Sequence, residues 1–314
     1  MKLGLGTAAL GRPQYINVRL ENCDNSDLNA FRNKSFAVLE EAYNLGIRYF
    51  DTAPGYGLAE ELLLDWLLTK DDKTIEVATK WGYTYTANFN PNATVHEIKE
   101  HSLSKLKEQW NFSKKLLPYL KVYQIHSATL ETGVLENTAV LEYLSFLKKE
   151  HHLKIGLTTT GTNQVEVIKK ALDVLVDGEQ VFDLFQVTYN FLDQSLSEIS
   201  SELNLQNKSI VIKEALANGR IFSNKKYPHY KEMYTSLEKI AAQHNVGVDA
   251  ISLKYCEQTI TNAKILSGAS TTHQLKENLK LNDFLLSNNE IEILHSFKVS
   301  NENYWSERKK LEWN

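Results

Sequence analysis

The feature that most constrains this chain is an alternation of short apolar, β-branched runs with segments of helical spacing. The strand-like runs are Leu3–Thr7, 47–53, Thr74–Lys80, Leu120–His126, Lys154–Leu157, Leu184–Tyr189, Ser209–Ala215 and Ala263–Leu266. Seven of the eight lead within a few residues into apolar residues at helical spacing, as Leu62, Leu63, Trp66 and Leu67 do after the second. Alternation sustained from Leu3 to Leu281 predicts an α/β fold with a parallel sheet. Eight units suit a closed (β/α)8 TIM barrel. The rival is a doubly wound open sheet, which should begin strand, G-x-G-x-x-G, helix. Here Gly4-Leu5-Gly6 is followed by Thr7, Ala8 and Ala9, so the third glycine is missing, and the polar stretch Asn22–Asn33 reads as a loop before any helix. The expectation is therefore a single domain over 1–314: a barrel to about residue 285, then one helix (Asn289–Phe297) and a tail with Trp305 and Trp313. Thr94–Trp110 reads as a helix and Tyr83-Thr84-Tyr85 as a turn.

Composition narrows the class. A chain of 314 residues with net charge -4 is not built for nucleic acid or an anionic membrane. Lysine pairs such as Lys148-Lys149 and Lys169-Lys170 are spread over different helices and read as solvated faces. Two cysteines, Cys23 and Cys256, give no disulfide framework and point to a reducing cytoplasm. The N-terminus lacks a signal peptide's apolar core, and no apolar run is long enough to span a bilayer. No metal site is expected, and oligomeric state cannot be read from these features.

In a parallel barrel the residues at the strand C-termini converge on one mouth. Here those ends supply Asp51 and Tyr56 around a Pro54-Gly55 turn, Lys80, His126, Thr158-Thr159, Gln186, Lys213-Glu214 and Ser267-Gly268. A free phenol, with a pKa near ~10, is a sluggish acid and a poor base at neutral pH. A neighbouring ammonium would favour the phenolate, Asp51 can give a buried Lys80 its counter-charge, and His126 can bond a carbonyl oxygen. Taken singly, Lys80 reads as a strand-end lysine reaching solvent and His126 as a satisfied core histidine. Four such groups at the ends of successive strands read instead as a catalytic cluster.

The same residues carry a resemblance to the aldo-keto reductase family. Asp51-Thr52-Ala53-Pro54-Gly55-Tyr56-Gly57 is similar to its D-T-A-x-x-Y-G motif, Val77–Lys80 to its strand-three lysine, and Tyr123–His126 to its strand-four histidine. Gln186-Val187-Thr188-Tyr189-Asn190 resembles the strand-six Q-x-x-Y-N element, and Gly268–Asn278 the cofactor segment that ends in Glu-Asn. The resemblance implies hydride transfer between a nicotinamide dinucleotide and a small-molecule carbonyl or alcohol. Tyr56 would be the general acid/base, Lys80 and Asp51 its tuning pair, and His126 would orient the carbonyl. It places Thr158, Thr159, Gln186, Lys213, Gly268, Ser270, Gln274, Glu277 and Asn278 along the cofactor. Thr158-Thr159 stands where the family usually has Ser-Asn, and Lys213 where an aromatic commonly stacks on the nicotinamide. The family implies NADP(H). NAD(H) follows closely, because Gly268 and Gln274 occupy positions where many relatives hold a 2′-phosphate with Lys or Arg, leaving only Lys276 and Arg220.

Trp81 is expected to line the substrate pocket, with loops 83–85 and 227–230 shaping it. Two rival readings remain open. One is a barrel aldolase using Lys80 as a Schiff-base lysine, which a paired Asp51 opposes. The other is a cofactor-binding regulatory protein that turns over poorly.

Overall fold

The structure, a computed structural model, describes residues 2–13, 17–18, 27–90 and 92–313. Cys23 and much of the polar stretch 22–33 lie outside the described residues. Eight strands close into a barrel in chain order: β1 (Leu3–Gly6), β2 (Tyr49–Asp51), β3 (Glu76–Trp81), β4 (Leu120–Ala128), β5 (Lys154–Thr159), β6 (Leu184–Thr188), β7 (Ser209–Lys213) and β8 (Ala263–Ser267). Every neighbouring pair is parallel, and β8 returns to β1 with Ser267 opposite Leu5. The (β/α)8 expectation holds.

Side chains on a strand alternate between its two faces, so register sorts this barrel into layers. Tyr49, Ala78, Val122, Leu184 and Val211 pack together inside the barrel, with Leu266 against them. Two residues further along each strand, the same inward face carries Asp51, Lys80, Gln124, Gln186 and Lys213. The apolar layer fills the barrel, and the polar layer above it is the floor of the mouth. The intervening residues, among them Phe50, Val77, Tyr123, Ile155, Phe185 and Ile212, face the helices and join the main core. That division explains why the strands read as continuous apolar runs: both faces are buried.

Three local expectations are corrected. Thr94–Trp110 is not one helix: Glu97–Lys99 pairs antiparallel with Tyr83–Tyr85, and the helix is Leu103–Ser113, capped by Ser102. Val95 and Ile98, which suggested helical spacing, are exposed and bury nothing. The end of the polar stretch is also helical, since Asp27 caps a helix running Leu28–Asn44. The C-terminal tail is a helix, Asn301–Lys309, which buries Tyr304 and Trp305 and follows the capping-box helix Asn288–His295. Among the described residues no helix is long and apolar enough to cross a membrane.

Candidate active site

The turn after β2 builds the centre of the mouth. Pro54 opens a single 3-10 turn, Pro54–Tyr56, and Gly57 follows at φ +65°, a left-handed conformation that favours glycine. A Cβ on Gly57 would also stand 2.5 Å from Gly11 O, so the turn can lie against the Gly11–Arg12 backbone only without a side chain there. This arrangement holds Tyr56 half-buried on the wall of a cavity of about 620 Å³.

Beneath Tyr56, Lys80 is wholly buried. Its Nζ donates to Asp51 Oδ2 at 2.5 Å and to Thr52 O at 3.0 Å, and lies 4.8 Å from the Tyr56 ring centroid. Asp51 Oδ1 accepts from Gln186 Nε2 at 2.8 Å and Gln124 Nε2 at 3.4 Å. His126 stands edge-on to Tyr56, with centroids 5.4 Å apart, and also packs on Tyr83 at 4.7 Å. Its backbone carbonyl accepts from His101 Nε2 at 2.9 Å, so His101 carries its proton on that nitrogen. Gly82, at φ +109°, leaves the room for the His101 ring: a Cβ would come within 2.4 Å of it.

The electrostatics differ from the sequence expectation. Burial pushes the Tyr56 phenol well above its ordinary range, Asp51 pushes the same way, and Arg12 opposes both. Lys80 was expected to draw the phenol towards neutrality, but its ammonium is bonded to Asp51, and it is the Asp51 carboxylate whose charge acts on Tyr56, raising it. Burial also holds His126 well below the usual imidazole range, reinforced by Lys80 and Arg12, so the ring is neutral at physiological pH. Among the described residues its buried Nδ1 has no hydrogen-bond partner. Burial likewise lowers His101 to about 4.

The cavity runs from this corner to the segment after β8. Of the residues expected at the cofactor, Thr158, Gln186, Lys213, Gly268, Ser270, Gln274 and Glu277 line it. Lys213 is mostly buried and donates to Thr188 Oγ1 at 2.9 Å. The cation stands where a stacking aromatic is common. Four expected residues do not line the cavity. Thr159 has outward parity on β5 and gives its hydroxyl proton to Gln164; Thr160 lines the wall instead. Asn278 stands one row back, accepting from Ser267 Oγ at 2.6 Å and donating to Asp249 Oδ2 at 2.6 Å. Trp81, expected in the substrate pocket, also has outward parity and is buried against His101 at 5.5 Å. Lys80 itself supports the floor from below and is not on the cavity wall.

Glu214, expected at the mouth from its strand end, lines the cavity, as do Arg12, Glu97, Asp249 and Arg308, which sequence reasoning missed. Arg308 comes from the C-terminal helix and bonds Glu214 Oε1 through Nη2 at 2.9 Å and Nε at 3.2 Å. Burial alone would raise Glu214, but Arg308 and Lys213 override it and hold the carboxyl at about 2. No local pattern could have announced a guanidinium delivered from the far end of the chain.

Known proteins share this fold and sequence pattern. The Aldo/keto reductase family model matches residues 2–298. An oxidoreductase of Bacillus subtilis is 25% identical over 296 residues, covering 86% of this chain and 89% of its own. The NADH-specific methylglyoxal reductase of Escherichia coli is 24% identical, with 88% of each chain covered. A D-threo-aldose 1-dehydrogenase of a Pseudomonas species is 24% identical, covering 80% of this chain and 84% of its own. Among solved structures, a glycerol dehydrogenase of Gluconobacter oxydans superposes with a TM-score of 0.72 at 18% identity, over 94% of this chain and 90% of that one. That likeness establishes the fold. With a family match over nearly its whole length and the barrel that family uses, the chain belongs to the aldo-keto reductases and is an oxidoreductase of that kind.

Proposed function

We propose that this protein moves hydride between a nicotinamide dinucleotide and the carbonyl–alcohol pair of a small aldehyde, ketone or sugar, with Tyr56 as general acid and base. The observation that carries this reading is the convergence of Asp51, Tyr56 and His126 at the cavity wall over the buried Lys80. When bound, the cofactor supplies the hydride to the carbonyl carbon or accepts it from the alcohol carbon. Tyr56 delivers its phenolic proton to the carbonyl oxygen as the C–H bond forms, and takes it back in oxidation. A phenol held above its ordinary range is fully protonated at neutral pH, the form that carbonyl reduction needs. His126, a neutral imidazole on the cavity wall edge-on to Tyr56, suits a hydrogen bond to the same oxygen.

The cavity's chemistry suits a nicotinamide dinucleotide. A Cβ on Gly268 would meet nothing within 4 Å, so that wall is open. Ser270 and Thr271 lead into the helix Thr272–Leu279, whose first backbone N–H groups can receive a phosphate. Two observations favour NAD(H) over NADP(H). Lys276 is paired with Glu41 at 2.9 Å, and Arg220 is wholly buried against Tyr304 and Glu307, so neither is free for a 2′-phosphate. The cavity wall carries the carboxylates of Asp249 and Glu277, and Lys34 is an exposed cation on the same wall. The names of the E. coli and Pseudomonas relatives favour short dicarbonyl compounds and aldoses as the first substrates to try. A Schiff-base role for Lys80 is disfavoured by its burial and its pairing with Asp51.

The test is a fluorescence titration with NADH and NADPH, followed by an aldehyde and sugar panel with the tighter cofactor. Tyr56→Phe is expected to lower turnover by about 10²–10⁴-fold while cofactor affinity is unchanged. Near-normal turnover in that variant would remove the assignment. Tight cofactor binding with no turnover across the panel would favour the regulatory reading instead.

A further inference from the structure

We propose that Arg12 is a positioning residue for the reaction, fixing the turn that carries Tyr56 and supplying the positive field that acts on its phenol. The inference rests on the reading of Tyr56 as the acid/base. Arg12 is almost wholly buried on the cavity wall. Its Nη1 donates to Gly55 O at 2.8 Å, inside the 3-10 turn that ends at Tyr56, and to Glu97 Oε2 at 2.9 Å. Its guanidinium carbon lies 5.4 Å from the Tyr56 ring centroid.

The backbone on either side reinforces the clamp. Gly11 O accepts from Leu58 N at 2.8 Å, and a Cβ on Gly11 would stand 2.0 Å from Tyr56 O. Gly11-Arg12 and Tyr56-Gly57 are therefore packed backbone on backbone, and the guanidinium closes the contact. Trp313, at 4.7 Å, covers the Arg12 guanidinium and stacks on His96 with centroids 4.3 Å apart. A cation kept from water in this way acts at short range with little screening.

Several other charged or titratable groups face Tyr56 or act on it. Below it Lys80 is paired with Asp51, whose charge raises the phenol; His126 is neutral beside it, and Tyr83 is held protonated by burial. Glu97, behind Arg12, and the more distant Glu214 both raise the phenol, and Arg308 and Lys213 offset Glu214. Arg12 is the cation whose charge opposes them at Tyr56.

The test follows the alkaline inflection at which alcohol oxidation levels off and carbonyl reduction declines. Arg12→Gln is expected to move it upward by about one pH unit, and Arg12→Lys to restore most of it. Glu97→Gln, at a partly exposed position, is expected to move it downward, because Arg12 then acts without its counter-charge. NADH affinity by fluorescence is expected to stay within about twofold in all three. Opposite shifts from two adjacent substitutions are not the signature of a loosened loop. An inflection at the wild-type pH in both Arg12→Gln and Glu97→Gln, with Tyr56→Phe inactive, would overturn the role of Arg12 and leave the Tyr56 reading standing. An active Tyr56→Phe would instead overturn that underlying reading.

Discussion

On the inward face of β3, Lys80 is wholly buried and meets a full counter-charge, Asp51, at 2.5 Å. On the outward face of the same strand, Thr79 gives its hydroxyl proton to a second buried ionisable group, Glu60, also at 2.5 Å. Among the described residues Glu60 has no cation in contact and accepts from Thr79 and, at 2.9 Å, from Ser113, and burial pushes its carboxyl up to about 7. One residue's shift along a strand thus separates two answers to the same problem. Towards the mouth, charge is kept by pairing it; towards the helices, charge is shed by taking up a proton. The comparison teaches that burial alone does not mark a functional group here. What distinguishes the functional face is a counter-charge together with access to a cavity.

The sharpest way to break the comparison is to remove the cation. Lys80→Met leaves Asp51 buried with only the amides of Gln186 and Gln124, and is expected to cost about 3–5 kcal/mol in chemical unfolding. Adding Asp51→Asn is expected to recover much of that loss, because no isolated charge then remains. If the double variant is no more stable than Lys80→Met, the ion pair is not what holds the floor of the mouth.

How much of this could be read beforehand follows from the same parity. The barrel was legible because eight strands buried on both faces leave long apolar runs, each closed by a turn. Asp51, Lys80 and His126 were legible because strand ends converge. Trp81 and Thr159 were misplaced although alternation with Lys80 and Thr158 would have turned them outward. The hairpin of 83–85 with 97–99 was not legible, since Tyr83 and Glu97 are distant in sequence and Val95 and Ile98 imitate a helical stripe. Arg12 and Arg308 were illegible for a different reason: what matters about them is a partner far along the chain, Glu97 for one and Glu214 for the other.

The next largest effect is on pH dependence. With a folded value of about 7 against an ordinary 4.5, Glu60 binds a proton more tightly in the folded state. It therefore takes nothing from stability below the unfolded value, and costs stability progressively as pH rises through that window. The full cost, roughly 3 kcal/mol, is reached above the folded value. Glu60→Gln keeps an acceptor for both hydroxyls but cannot ionise. The variant is expected to be more stable than the wild type at pH 8 and close to it at pH 5, measured by urea unfolding at both. Equal differences at the two pH values would mean that Glu60 does not change protonation on folding, and the contrast with Lys80 would fail.

The smallest effect sharpens the same contrast by removing one of the two hydroxyls. Ser113 donates to Glu60 Oε1, and a donor favours the ionised carboxylate over the neutral acid. Ser113→Ala therefore removes more from the charged form than from the protonated one. The expected loss is about 1 kcal/mol at pH 8, where Glu60 is mainly ionised, and a few tenths at pH 5, where it is neutral. The direction matters more than the size, because a cavity left by the missing hydroxyl would cost the same at both pH values. A loss larger at pH 5 than at pH 8 would mean that Ser113 serves the protonated acid, and that the outward face of β3 is built around a neutral hydrogen-bonded carboxyl whose ionisation the fold does not accommodate.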